Sequence, residues 1–204
     1  MTQITINSNK LEHNFEPKST LYEIVDFLLT NYLNENEVIT KIELDNVPVP
    51  NNDIKIIHNT LIDGHNHINF SVQDRPQLIF DTLVSCENHL NNTIVTINKI
   101  SELYRSDDAN QSYGLFIDMI EQINTFIYSM SIINKSLEQH ISSNPPINEE
   151  FHALELDLLT TLKTLLTAKK NNDNVQISDL LEKNLVSNLQ KWISDMIPKL
   201  KKII

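Results

Sequence analysis

The hydrophobic period of this sequence changes for good at Asp74. Before it, stretches such as QITINSN and VITKIELD alternate apolar and polar residues; after it, apolar residues recur every three or four positions. Alternation belongs to half-buried strands, and the three-four spacing to amphipathic helices. The chain is therefore expected to be α+β. A small β-rich domain with one helix spans residues 1–73, and an antiparallel four-helix bundle spans 74–204.

In the helical part, Asp74-Arg75-Pro76-Gln77 has the build of a helix start, with Asp as N-cap and Pro in the first turn. Ile79, Leu83, Cys86, Leu90, Ile94, Ile97 and Tyr104 then mark one face as far as Arg105, and Ser106-Asp107-Asp108 breaks the helix. A second helix is expected over about 109–140. Its stripe is Tyr113, Phe116, Ile120, Ile123, Ile127, Met130 and Leu137, with Met119, Phe126 and Ile133 in a second line beside it. SSNPPIN, 142–148, reads as a loop that two prolines keep out of the helix. Leu154 to Ile197 forms a helical hairpin broken at Lys169–Asn174, and Pro198 is expected to end or kink its last helix. Short connections between four such helices favour up-down-up-down topology.

In the β part, strands are expected at 2–7 and 11–16 around a turn at Asn9-Lys10, followed by a helix over 19–33 with Ser19 as N-cap. Its apolar face is Leu21, Ile24, Val25, Leu28, Leu29 and Tyr32. A strand from Val38 leads to a turn at Asp45-Asn46, and Pro48 and Pro50 hold the next segment at a sheet edge. Residues 54–73 are predicted to be a hairpin about Asp63-Gly64, because a tight I′ turn suits that pair. An opening hairpin, a crossing helix and a returning strand resemble the ubiquitin-like β-grasp order, without that family's usual C-terminal Gly-Gly tail.

The formal net charge is −11, with 11 acidic and 5 basic residues in 1–75 and 16 and 11 in 76–204. A surface acidic in both halves argues against nucleic acid as a partner. The single cysteine, Cys86, lies on a helical stripe and is expected to be a buried, inert thiol. No apolar run reaches the roughly 20 residues a membrane span needs, and MTQITINSNK lacks the build of a signal peptide, so a cytoplasmic protein without membrane insertion is expected. Two glycines, and no P-loop, dinucleotide loop, HExxH or nucleophile elbow, leave no catalytic residues to name. A non-enzymatic protein without a cofactor is the expectation.

Two sets of residues are candidate sites. In the predicted hairpin His58, His65 and His67 share one face, a donor set that suits zinc or nickel, although Thr60 and Asn69 on the same face suit a plain solvated surface. On the bundle, Met119, Phe126, Ile133 and Trp192 exceed what one helical seam requires and could line a groove for a partner's helix.

The spacing Leu165-x-x-Ala168, Asp173, Ile177, Asp179, Leu180-Leu181, Leu185, Leu189 and Trp192 resembles the last two helices of the flagellin export chaperone family. The likeness covers about 45 residues, and that family has no β-rich N-terminal domain. It implies an acidic bacterial protein that grips helical parts of a secreted subunit. The reading that follows is a chaperone- or adaptor-like protein-binding module. The alternatives are an assembly protein that forms a homodimer or larger oligomer through its bundle, and a metal-binding protein using the three histidines.

Overall fold

The computed structural model describes residues 2–50, 54–106, 109–138 and 145–204. The chain is α+β, with an N-terminal five-stranded sheet and mostly helix thereafter. It divides into two units, Met1–Leu78 and Ile79–Ile204.

The first unit contains β1 (Gln3–Ile6), β2 (Asn9–Lys10), α1 (Leu21–Asn31), β3 (Glu37–Leu44), β4 (Val47–Pro48), α2 (Ile54–Asn59), a 3-10 turn at Ile62–Gly64 and β5 (His67–Asp74). The sheet order is β2-β1-β5-β3-β4. Central β5 runs parallel to β1, from Gln3↔His67 to Ile6↔Phe70, and antiparallel to β3, with a bulge between Ile39 and Lys41. Its alternation is clean: Ile68, Phe70 and Val72 are buried, while His67, Asn69 and Ser71 are half-buried. The buried set packs in one core with Leu21, Ile24 and Leu28 of α1.

Local chemistry fixes the corners, and several differ from expectation. The first turn is Asn7-Ser8, with φ of 49° and 67°, so Asn9-Lys10 is strand and 11–16 holds none. Asn tolerates left-handed backbone, and here its side chain is also used. Asn7 Nδ2 donates to the Val72 carbonyl at 3.0 Å, and Oδ1 accepts from the Val72 N–H at 2.9 Å. The cap of α1 is Thr20, not Ser19: Thr20 lies three residues before Glu23, the spacing a capping box needs, and both bonds form. Asp45-Asn46 turns as expected (φ 50° and 66°), and Pro48 lies on an edge strand.

The predicted hairpin about Asp63-Gly64 does not form. Ile54–Asn59 is helical, and Gly64 has no positive φ. An isoleucine-rich stretch as short as IKII satisfies either period, and tertiary pairing decides. Both edges of β5 are taken, by β1 and β3. Thr60 and Ile62 bond instead to the start of α1, with Leu21 N–H on the Thr60 carbonyl (2.8 Å) and Ile62 N–H on the Ser19 carbonyl (3.0 Å).

The second unit is a bundle of α3 (Arg75–Arg105, whose first turn lies in the first unit), α4 (Tyr113–Ser136), α5 (Pro145–Lys170) and α6 (174–201). A 3-10 turn at Ala109–Ser112 precedes α4. Asp107, Asp108, His140 and 142–144 lie outside the described residues. Contacts at each end give the up-down-up-down order. Ser101 meets Ser178 (2.8 Å) and Lys169 lies over the rings of Tyr104 and Phe116 at one end. Lys201 meets Glu87 (2.7 Å), and Lys199 pairs with Glu150, at the other. Buried residues from all four helices form one continuous core, from Ile79 to Leu200.

Two prolines behave differently from expectation. Pro145 and Pro146 begin α5 rather than forming a loop, since first-turn N–H groups have no helical acceptor to lose. Pro198 does not stop α6. That helix alternates α (Asn174–Asp179), π (Leu180–Leu185), α (Val186–Lys191), π (Trp192–Met196) and α (Ile197–Lys201). In a π pattern a carbonyl bonds the N–H five residues on, so the carbonyl of Ser194 does not require a donor from Pro198.

Replacing Asn7 tests the first corner. Asn7→Ala is expected to destabilise the sheet unit by about 1–2 kcal/mol, through two lost hydrogen bonds and left-handed strain. Asn7→Gly, which relieves the strain alone, should lose less. The readout is the urea midpoint followed by the methyl NMR signals of Ile68 and Val72.

Candidate interaction face

The four bundle residues expected to meet a partner are core. Met119, Phe126, Ile133 and Trp192 are each at most 2% exposed. The Trp192 ring meets Phe126 edge-on (5.4 Å, 78°) and Phe151 likewise (5.1 Å, 89°), so it joins α4, α5 and α6. The seam of α4 is Phe116, Met119, Ile123, Phe126, Met130, Ile133 and Leu137. It takes the expected second line inward, leaves Tyr113 exposed, and keeps Ile120 and Ile127 half-buried against the core. Both lines look equivalent in sequence and both contribute to the seam; the neighbouring helices decide which members are buried.

The three histidines are not brought together. His58 stacks on Tyr22 (4.2 Å). His65 Nδ1 donates to Asp45 Oδ2 (2.9 Å), and His67 Nε2 lies 3.0 Å from Thr5 Oγ1. Among the described residues no group of three or more His, Cys, Asp or Glu is placed to hold a metal. What His65 does instead is help hold the β3–β4 turn. The hydrogen bond from His65, then those from the backbone N–H groups of His67 and Asn66, hold the Asp45 carboxyl below its ordinary value. Cys86 is buried, and burial pushes its thiol up, partly offset by a hydrogen bond with Ser129.

The sheet unit carries an apolar groove, with a volume of about 450 Å³ between α1 and β3. Val25, Leu29, Val38, Ile42, Val49 and Ile57 line it. On α1, Leu21, Ile24 and Leu28 are buried, while Tyr22, Leu29 and Tyr32 stay exposed.

A larger apolar surface lies on the bundle. Among the described residues, large exposed hydrophobics number two on α3 (Phe80, Val95) and one on α6 (Val175). Seven lie on α4 and α5: Tyr113, Ile117, Tyr128 and Ile132, and Leu156, Leu159 and Leu166. Their spacing is helical, so each set forms a stripe. On α4 the steps from 113 through 117 and 128 to 132 return to one side; on α5 the steps from 156 through 159, 163 and 166 to 170 do the same. The two stripes flank a common crevice of only about 10 Å³, which Ile127 and Met130 share with Glu155, Leu158 and Leu159. Glu121 interrupts the first stripe and Lys163 the second, both exposed. Neither has a side-chain partner among the described residues. Contiguous exposed apolar surface on a soluble domain marks an interaction site more often than chance placement does.

These features define a class, a two-unit α+β chain whose helical bundle bears an apolar face on one helix pair. A family model described as "Domain of unknown function (DUF8042)" matches residues 81–195, more than half of the chain, and the chain belongs to that family. A second model, described as "TP0873 N-terminal domain", matches residues 2–74. No curated protein and no solved structure matches. Among the described residues no helix is long and apolar enough to cross a membrane.

Substitutions separate core from face. In dilute solution Met119→Ala is expected to cost about 2–5 kcal/mol, whereas Tyr128→Ser and Leu156→Ser should stay within about 0.5 kcal/mol of the parent. Trp192 fluorescence during denaturant unfolding reports the bundle for all three. A pH titration checks the Asp45 turn. Because its folded pKa is lowered, Asp45 stabilises the unit at neutral pH, and that contribution is lost as pH falls through the folded pKa. Below about pH 4 the parent's urea midpoint should therefore fall more steeply than that of Asp45→Asn; parallel curves would refute it.

Proposed function

We propose that this chain is a non-enzymatic, cytoplasmic protein-binding module, chaperone- or adaptor-like, whose binding surface is the exposed face of α4 and α5. The observation that carries this is the distribution of apolar residues outside the core: seven on one helix pair against three on the other. Parallel rows of aliphatic and aromatic side chains, two helices wide, suit the apolar side of a partner's amphipathic helix laid along the crevice. This moves the helix-in-groove reading from Met119, Phe126, Ile133 and Trp192 to Tyr128, Ile132, Leu156 and Leu159.

The likeness of 165–192 to flagellin export chaperones suggests a secreted or flagellar subunit as client, while the matched family models name no client. The strand order β2-β1-β5-β3-β4, with β5 inserted parallel to β1, supports a β-grasp-like sheet unit. The groove between α1 and β3 offers that unit a smaller apolar surface of its own.

Site-specific photocross-linking tests the face. A benzophenone amino acid placed at Leu156 or Tyr128 in the native host is expected to give a discrete higher-mass adduct. The same probe at Val95, exposed on α3, should not. No adduct from either face position, or equal adducts from all three, would sink the proposal.

A further inference from the structure

We infer that in the free protein the α4/α5 face is covered by a second copy of this chain, related by a two-fold axis that runs along the helices. This rests on reading that face as a binding surface.

The register between α4 and α5 is fixed at two points. Lys169 lies over Phe116, and Ile127 and Met130 share a crevice with Glu155 and Leu158. Counting along antiparallel helices from these points places Ile117 level with Leu166, Glu121 with Lys163, Tyr128 with Leu156 and Ile132 with His152. A two-fold axis along the helices keeps these levels and lays α4 of one copy over α5 of the other. Ile117 then meets the partner's Leu166, and Tyr128 meets the partner's Leu156. Glu121 meets the partner's Lys163, and Lys163 meets the partner's Glu121. A two-fold interface must be complementary to itself, and this face supplies exposed acids and bases at matching levels, Glu121 with Lys163 and Glu149 with Lys135.

Charge on the face argues the same way. Two copies of a chain with net charge −11 repel each other over most of their surface. Here Glu121, Glu149 and Glu155 stand against Lys135, Lys163 and Lys170, so the charges balance and the repulsion is locally lifted. The size also fits. Helices of 24 and 26 residues are about 36–39 Å long. Spaced roughly 9 Å apart, they offer a strip of roughly 650 Å² per copy, and the pair would bury about 1,300 Å², within the range of stable interfaces.

Sedimentation velocity on the full chain, from about 1 μM to 1 mM, spans the affinities expected of such an interface. The parent is expected to form dimers. Glu121→Lys and Lys163→Glu each set two pairs of like charges face to face and should weaken dimerisation roughly tenfold or more. The double variant, Glu121→Lys with Lys163→Glu, restores opposite charges and should dimerise like the parent. Circular dichroism confirms that each variant is folded. A chain that stays monomeric throughout, or a dimer indifferent to the single exchanges, overturns the inference. If the parent is monomeric while Leu156 still cross-links to a different protein, this inference fails and the binding-face proposal survives.

Discussion

The bundle depends on how one indole is held. Trp192 is the only tryptophan, and its ring edges against Phe126 of α4 and Phe151 of α5 from its own place on α6. Edge-to-face aromatic pairs contribute roughly 0.5–1.5 kcal/mol beyond the area they bury, and two such pairs converge here. The indole itself makes no hydrogen bond among the described residues: Trp192 Nε1 is buried without a partner. Packing of the indole, together with the hydrogen bond from His89 Nε2 on α3 to the Gln122 carbonyl at 2.8 Å, fixes the rotation of α4, and that rotation decides which side of the helix faces inward. The exposed stripe that carries the proposed function is the complement of this choice.

A second constraint sets the vertical match of α5 and α6. Asn188 is fully buried, and its amide donates to the Leu154 carbonyl at 3.0 Å and to Asp157 Oδ2 at 2.8 Å. A buried amide with its donors satisfied in only one alignment penalises slippage, because a shift by one turn would strand polar atoms in the core. Ser101 and Ser178 do the same between α3 and α6, each fully or nearly buried and bonded to the other. The apolar rows slide; these polar contacts do not.

Much of this was legible from residue spacing, in proportion to how many residues voted. Thirty-one residues of α3 share one period, and its start at Asp74-Arg75 could be read within a residue. The Asp45-Asn46 turn was legible because its side chains favour left-handed backbone. The segment 54–64 was not. Its few isoleucines fit either period, and the choice was made by strands far away in sequence. The histidine cluster failed with that hairpin. Asn7-Ser8 was missed because its decisive bonds go to Val72, 65 positions on. The burial of Met119, Phe126, Ile133 and Trp192 was missed for a different reason. Spacing identifies lines on a helix but not which of their members the neighbouring helices cover.

The alternation of α and π turns in α6 bears on how such a helix keeps a straight seam. In an α-helix each step of four residues overshoots a full turn by about 40°. Ile177, Leu181, Leu185 and Leu189 are separated by three such steps, and Trp192, Met196 and Leu200 by two more, yet all are buried. The wider turns at Leu180–Leu185 and Trp192–Met196 take up the accumulated overshoot. Each works as a phase correction in the helix. The leucine spacing that looks irregular for an ordinary bundle helix is thus regular for this one.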